Sequence, residues 1–174
     1  GRPFILAVSS QSVHKNFGGI WRALDYLKDQ TFDTVVTGAR NTRIFNDASP
    51  EVPGKARYLG YVGDAELRAL YENAICLVYP SLYEGFGLPP LEAMACGCPV
   101  VVSPCGSLPE VCGDAAVYCD PHDPVDIARA TATVMGDPTL RSTLKTRGMD
   151  RAKHFTWGRT ASSLAAVIEE VALL

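Results

Sequence analysis

Glu84 and Glu92 stand eight residues apart in Ser81-Leu-Tyr-Glu-Gly-Phe-Gly-Leu-Pro-Pro-Leu-Glu92, around a glycine-bracketed aromatic and a double proline. A carboxylate that accepts two hydrogen bonds suits a vicinal diol. Gly85 and Gly87 remove side chains on both sides of Phe86, which lets backbone N–H groups approach a ligand closely. Pro89 or Pro90 can open a helix where a missing N–H costs nothing, and the positive end of that helix favours phosphate. Lys15 would supply a full charge from a second loop, and Ser9, Ser10 and Ser12 could donate hydrogen bonds. Such a set would neutralise a diphosphate and grip the diols at both ends of a nucleotide sugar.

Plainer readings stay open at each position. Glutamate in a first helical turn is commonly dipole compensation worth about 0.3–1 kcal/mol, and Pro-Pro-Leu-Glu-Ala-Met is an ordinary helix start. Most lysines are merely solvated, His14 is more often a loop histidine than a catalyst, and Phe86 can simply pack.

The elements that must position these groups can be read from hydropathy. Phe4-Ile-Leu-Ala-Val8 reads as a buried strand, followed by the polar turn Ser9-Ser10-Gln11-Ser12. Phe17, Ile20, Trp21, Leu24 and Leu27 fall at helical spacing. Further strands are expected at Thr34–Thr37, Arg57–Leu59, Ala74–Tyr79, Pro99–Val102 and Ala115–Tyr118, with mostly loop from Ala39 to Lys55. Asp64 is expected to cap a helix to Asn73, and Ser107-Leu-Pro-Glu110 has capping-box spacing. Asp123-Pro124, Asp137-Pro138 and Thr156 are expected to start three helices, the last from about 156 to 173. Six strands alternating with helices predict an α/β fold: a doubly wound, Rossmann-like parallel sheet of order 3-2-1-4-5-6. Strands 1 and 4 would then adjoin at the switch point. The loop carrying Lys15 and the loop carrying Glu84 would face one crevice.

Composition bounds the function. With 174 residues the chain reads as a single domain, 1–174, and 47% hydrophobic residues promise a packed core. Sixteen basic against nineteen acidic side chains argue against a grip on nucleic acid or anionic lipid. No apolar run is long enough to span a bilayer, and a cytoplasmic location is expected. Six cysteines crowd one region without a C-x-x-C pair, so reduced, mostly buried thiols are expected rather than a metal site. The abrupt entry through Gly1-Arg2-Pro3 reads as that of an excised domain.

Glu84-Gly-Phe-Gly-Leu-Pro-Pro-Leu-Glu92-Ala-Met-Ala, followed by Gly97-Cys-Pro-Val-Val-Val and Ser107-Leu-Pro-Glu110-Val-Cys-Gly-Asp-Ala-Ala, closely resembles the C-terminal half of retaining glycosyltransferases of family 4. Two glutamates separated by seven residues are that family's signature. His14-Lys15-Asn16 resembles its basic-Lys-Asn motif, and Leu70-Tyr71 through Pro80-Ser81 matches its approach to the signature loop. The resemblance implies one half of a two-domain GT-B architecture. It also implies transfer of a hexose from a nucleotide sugar with retention and without a required metal or other cofactor. Glu84 and Lys15 would be the catalytic groups here. Lys15 would contact the diphosphate, Glu84 and the amides of Gly85, Phe86 and Gly87 the donor sugar, Leu88 the phosphates, Glu92 the ribose, and the backbone around Val62 the base. His14 and Ser10 stand where arginine is frequent in the family, so the phosphate clamp would rest on Lys15 almost alone.

The implied partners are a nucleotide sugar, a missing N-terminal acceptor-binding domain and a saccharide or lipid-linked saccharide acceptor. The last helix would pack toward that domain, leaving Phe155 and Trp157 partly exposed here, and donor binding without efficient turnover is expected of this chain. The full-length protein is expected in the cytoplasm, free or peripheral at the inner face of the membrane. GDP-mannose is the first-choice donor, for mannose transfer in surface polysaccharide synthesis; UDP-glucose and UDP-N-acetylglucosamine are the alternatives. The rival readings of the chain are a nonenzymatic nucleotide-sugar sensor, a phosphorylase or epimerase, and a dinucleotide-dependent oxidoreductase. Ser-Ser-Gln-Ser in place of a Gly-x-Gly-x-x-Gly turn disfavours the oxidoreductase.

Overall fold

Short apolar runs become central strands when both faces are covered; four of the six strands here are so placed, and the two at the sheet edges are only partly buried. The computed structural model describes residues 2–8, 12–27, 31–38 and 56–172. Its strands are β1 Phe4–Val8, β2 Asp33–Thr37, β3 Ala56–Gly60, β4 Leu77–Tyr79, β5 Val100–Val102 and β6 Ala116–Tyr118. All pair in parallel in the order β3-β2-β1-β4-β5-β6. β1 meets β4 through Leu6 opposite Leu77, so the winding reverses there and the loops leaving both strands open on one crevice. The loop expected over 39–55, together with Ser9 and Ser10, lies outside the described residues.

The helices are α1 Phe17–Leu24, α2 Asp64–Asn73, α3 Leu88–Ala95, α4 Leu108–Cys112, α5 Pro124–Gly136, α6 Pro138–Ala152 and α7 Trp157–Ala172. Asp123 and Asp137 cap α5 and α6, each accepting a backbone N–H at 2.9 Å in front of a proline. The Thr156 hydroxyl accepts the Arg159 N–H at 3.2 Å.

Four local expectations change. α1 stops at Leu24 and finishes as a 3-10 turn, Asp25–Leu27. β4 begins at Leu77 rather than Ala74, although the Ile75 N–H already bonds the Phe4 carbonyl at 2.8 Å. Asp64 is not the cap of α2: Gly63 holds the extended cap conformation, and the Glu66 carboxylate accepts its N–H at 2.9 Å. The Ser107 hydroxyl forms no cap on α4 and donates instead to the Glu84 carbonyl at 3.3 Å, because a neighbouring loop lies within its reach.

The pleat divides the core. Ile5 and Ala7 face Phe17, Ile20, Trp21, Ile127 and Val134 on one side of the sheet. Leu6 and Val8 face the other, with Tyr71, Tyr79, Met94 and Leu108. Four cysteines are buried and none of the six is in a disulfide. α7 differs from every other long helix, since none of its residues is buried and Trp157 is 88% exposed. Among the described residues no helix is long and apolar enough to cross a membrane.

Candidate functional site

At the carboxyl end of β1 the chain makes one 3-10 turn, Val13–Lys15, and then Asn16 takes the left-handed conformation at φ 56°. Asparagine tolerates that region better than most residues. Its side chain binds three segments at once: Nδ2 donates to the carbonyls of Pro80 at 3.0 Å and Pro121 at 2.7 Å, while Oδ1 accepts the Gly19 N–H at 3.1 Å. The loops after β1, β4 and β6 therefore meet at one amide. Gly19 has no room for a side chain, because a Cβ there would come within 2.6 Å of Asn16.

Held this way, Lys15 reaches across the switch point. Its Nζ donates to Glu84 Oε1 at 2.6 Å and to the Tyr79 hydroxyl at 2.6 Å, and Ser81 Oγ donates to the same Glu84 oxygen at 2.6 Å. The carboxylate is only 8% exposed and the lysine 14%. Burial alone would raise the Glu84 pKa, but hydrogen bonds from Lys15, Ser81 and Tyr79, with the Lys15 charge, outweigh it and hold the carboxyl below the usual range. Burial first, and then the Glu84 carboxylate, push the Tyr79 hydroxyl well above its ordinary value. An ammonium has three N–H groups. Among the described residues two are engaged, by Glu84 and Tyr79.

The loop around Glu84 is held from beneath. Ser103 Oγ bonds the Ser81 carbonyl, and the Ser81 hydroxyl and Leu82 N–H both reach the His14 carbonyl, at 3.1 and 2.8 Å. Gly106, at φ +58°, lets the loop after β5 lie directly on the Glu84 backbone, where any Cβ would collide. Gly87 caps α3 at φ +93°, with Leu108 filling the space a Cβ would need. Gly85 is different. Its φ is not positive and a Cβ there would meet nothing within 4 Å, so neither packing nor backbone geometry calls for glycine. Phe86 packs its ring edge-on against Phe155 at 5.8 Å, and Arg151 lies over Phe155 at 5.2 Å. Leu88 opens α3 and is exposed. His14 is an exposed loop residue beside Ser12 at 3.3 Å.

Glu92 sits in a separate setting. It lies in the second turn of α3, not the first, so simple compensation of the helix dipole does not account for it. Its Oε2 accepts the Tyr71 hydroxyl at 3.2 Å, beside a groove of about 240 Å³ lined by Leu67, Arg68, Tyr71, Ala95 and Cys96 among others. Neither Glu84 nor Val62 lines that groove; Val62 is half-buried in the loop between β3 and α2. Ser10 lies outside the described residues. Gly106 lies outside every motif quoted above, while Asn16, Tyr71, Tyr79 and Ser81 lie within them but carry no role that the motifs assign.

The Glycosyl transferases group 1 family matches residues 1–151. An O-antigen chain mannosyltransferase B of Escherichia coli is 39% identical, over 88% of this chain and 42% of its own length. A D-inositol 3-phosphate glycosyltransferase of Salinispora arenicola is also 39% identical, over 71% of this chain and 28% of its own. The chain thus spans less than half of the curated relatives it matches. A glycosyltransferase structure from Rickettsia africae superposes with a TM-score of 0.86 at 17% identity, over 99% of this chain and 48% of that one, which speaks for the fold. With the family matched from Gly1 to Arg151 and the signature loop seated at the switch point of a GT-B-type sheet, the chain belongs to the glycosyl transferases group 1 family.

Proposed function

We propose that this chain is the donor-binding half of a retaining hexosyltransferase that moves mannose from GDP-mannose to a saccharide hydroxyl during surface polysaccharide synthesis. The observation that carries the reading is the meeting of Lys15 and Glu84 at 2.6 Å across the switch point, next to the N-terminus of α3. The leaving nucleoside diphosphate gains negative charge as the glycosidic bond breaks. The third N–H of Lys15, the amides of Gly85 to Leu88 and the positive end of α3 would stabilise it by fixed charge and dipoles. The Glu84 carboxylate, held ionised, would bind hydroxyls of the donor sugar and oppose its cation-like charge. The open space at Gly85, where a Cβ would meet nothing within 4 Å, supports this by leaving the backbone there accessible to a ligand.

Glu92 would grip the ribose hydroxyls, and the backbone around Val62 would border the base. No metal is needed in this scheme, because Lys15 and the helix terminus carry the leaving-group charge; turnover by the full-length enzyme should survive a chelator. Acceptor binding belongs to a second domain, with this chain binding donor and turning over poorly alone. The mannosyltransferase relative favours mannose, while the D-inositol 3-phosphate glycosyltransferase at the same 39% identity, whose name specifies no donor sugar, keeps the choice of donor open between GDP-mannose and the UDP-sugar alternatives. Calorimetric titration with GDP-mannose, UDP-glucose and UDP-N-acetylglucosamine tests the reading. Selective binding of GDP-mannose, weakened in Glu92→Ala, is expected; preference for a UDP-sugar would replace the donor, and no binding to any would overturn the reading.

A further inference from the structure

Glu92 projects from an exposed position on α3, and the one hydrogen bond its carboxylate makes among the described residues comes from Tyr71. Tyr71 is only 2% exposed and belongs to the core behind β1 and β4. A phenylalanine would fill the same space without bringing a hydroxyl that must be satisfied once buried. The α2 backbone around it is engaged in its own helix, so the hydroxyl is committed to the carboxylate. A glutamate on an exposed helix face otherwise samples many rotamers, and binding a ligand would have to freeze it.

We infer that Tyr71 is a positioning residue for donor binding. Its hydroxyl holds Glu92 Oε2 and presets the carboxylate, so that Oε1 is the oxygen left for a ribose hydroxyl. The inference rests on the reading that Glu92 grips the ribose. It adds that the grip is built before the ligand arrives, from a buried residue on a different helix.

The test titrates this chain with GDP and UDP, takes whichever binds, and repeats the titration with its 2′,3′-dideoxy form. Tyr71→Phe should lose about three- to tenfold in affinity for the ribose nucleotide, as for one hydrogen bond, and nothing for the dideoxy form. It should add little in a Glu92→Gln background, since both changes remove one interaction. Tyr71→Met, which fills buried space without a hydroxyl, should show the same selective loss if Tyr71→Phe fails to fold. Unchanged affinity in Tyr71→Phe alongside a weakened Glu92→Gln would overturn the role of Tyr71 alone. An equal loss toward the dideoxy form would make Tyr71 structural and also overturn it. A silent Glu92→Gln, or no binding of either nucleotide, would sink both this inference and the reading beneath it.

Discussion

Two carboxylates of the same motif live in opposite surroundings. Glu84 is 8% exposed and shares one oxygen between an ammonium and a hydroxyl, both at 2.6 Å. Glu92 is exposed and, among the described residues, has a single 3.2 Å hydrogen bond. The first is part of the framework that joins the loops after β1 and β4; the second is tied to the framework through Tyr71. Sequence spacing treats them as a symmetric pair, but the fold gives one a structural duty and leaves the other exposed on α3.

The largest effect that would sharpen this contrast is expected from Glu84→Ala. Removing one partner of a buried ion pair strands the other, at a cost of about 3 kcal/mol. Calorimetric unfolding should therefore show a fall in Tm of roughly 6–12 °C. Transferase activity of the full-length enzyme should be lost as well. If Tm holds, Glu84 is not part of the framework and the comparison collapses.

Next, Lys15→Met combined with Glu84→Gln should restore most of the stability that either change alone removes, because neither charge is then left unpaired. Donor binding should stay weak in the double variant. That outcome separates the structural from the ligand-binding share of the pair, by comparing unfolding and titration on the same four proteins.

Glu92→Ala leaves the buried Tyr71 hydroxyl without its carboxylate, so it should cost about 1 kcal/mol of stability, well below the cost of Glu84→Ala. Its donor affinity should drop at least about tenfold, as for a lost hydrogen bond to a charged group. A large fall in Tm would erase the difference between the two glutamates.

The smallest expected effect is in pH dependence. The folded pKa of Glu84 lies below its ordinary value, so its contribution is full above about pH 4.3, the unfolded glutamate value. It is lost as pH falls through the lower folded value. The stability gap between the wild type and Glu84→Gln, measured by urea unfolding, should therefore be constant near neutrality and narrow below about pH 4. A gap that widens on acidification would contradict the direction of the shift.

Much of this was legible in the chain. Runs such as Pro99-Val-Val-Val102 and the helical spacing of Phe17, Ile20 and Trp21 bury apolar surface in only one way each, and they led to the observed strand order. Lys15, Glu84 and Glu92 were visible because unusual residue types surround them. Their partners were not. The Lys15–Glu84 pair spans 69 positions, and no local pattern says that a lysine will find a carboxylate across a sheet. Tyr71 and Tyr79 read as ordinary core aromatics, because hydropathy does not report where a buried hydroxyl points. Ser107 misled for a related reason. Capping-box spacing records which groups are near in sequence, whereas Gly106 brings the Glu84 backbone nearer in space. Asp64 misled by one residue, since an adjacent glycine adopted the extended cap conformation first.

The exposure of Trp157 has a spectroscopic consequence. The chain has two tryptophans: Trp21 is 7% exposed against Phe17, and Trp157 is 88% exposed at the start of α7. Their emission should therefore report on separate events. Unfolding would wet Trp21 and move its fluorescence to the red, while anything that covers α7 would dry Trp157 and move its fluorescence to the blue. Opposite colour changes from two built-in probes let a single unlabelled sample tell a docking event from a loss of fold.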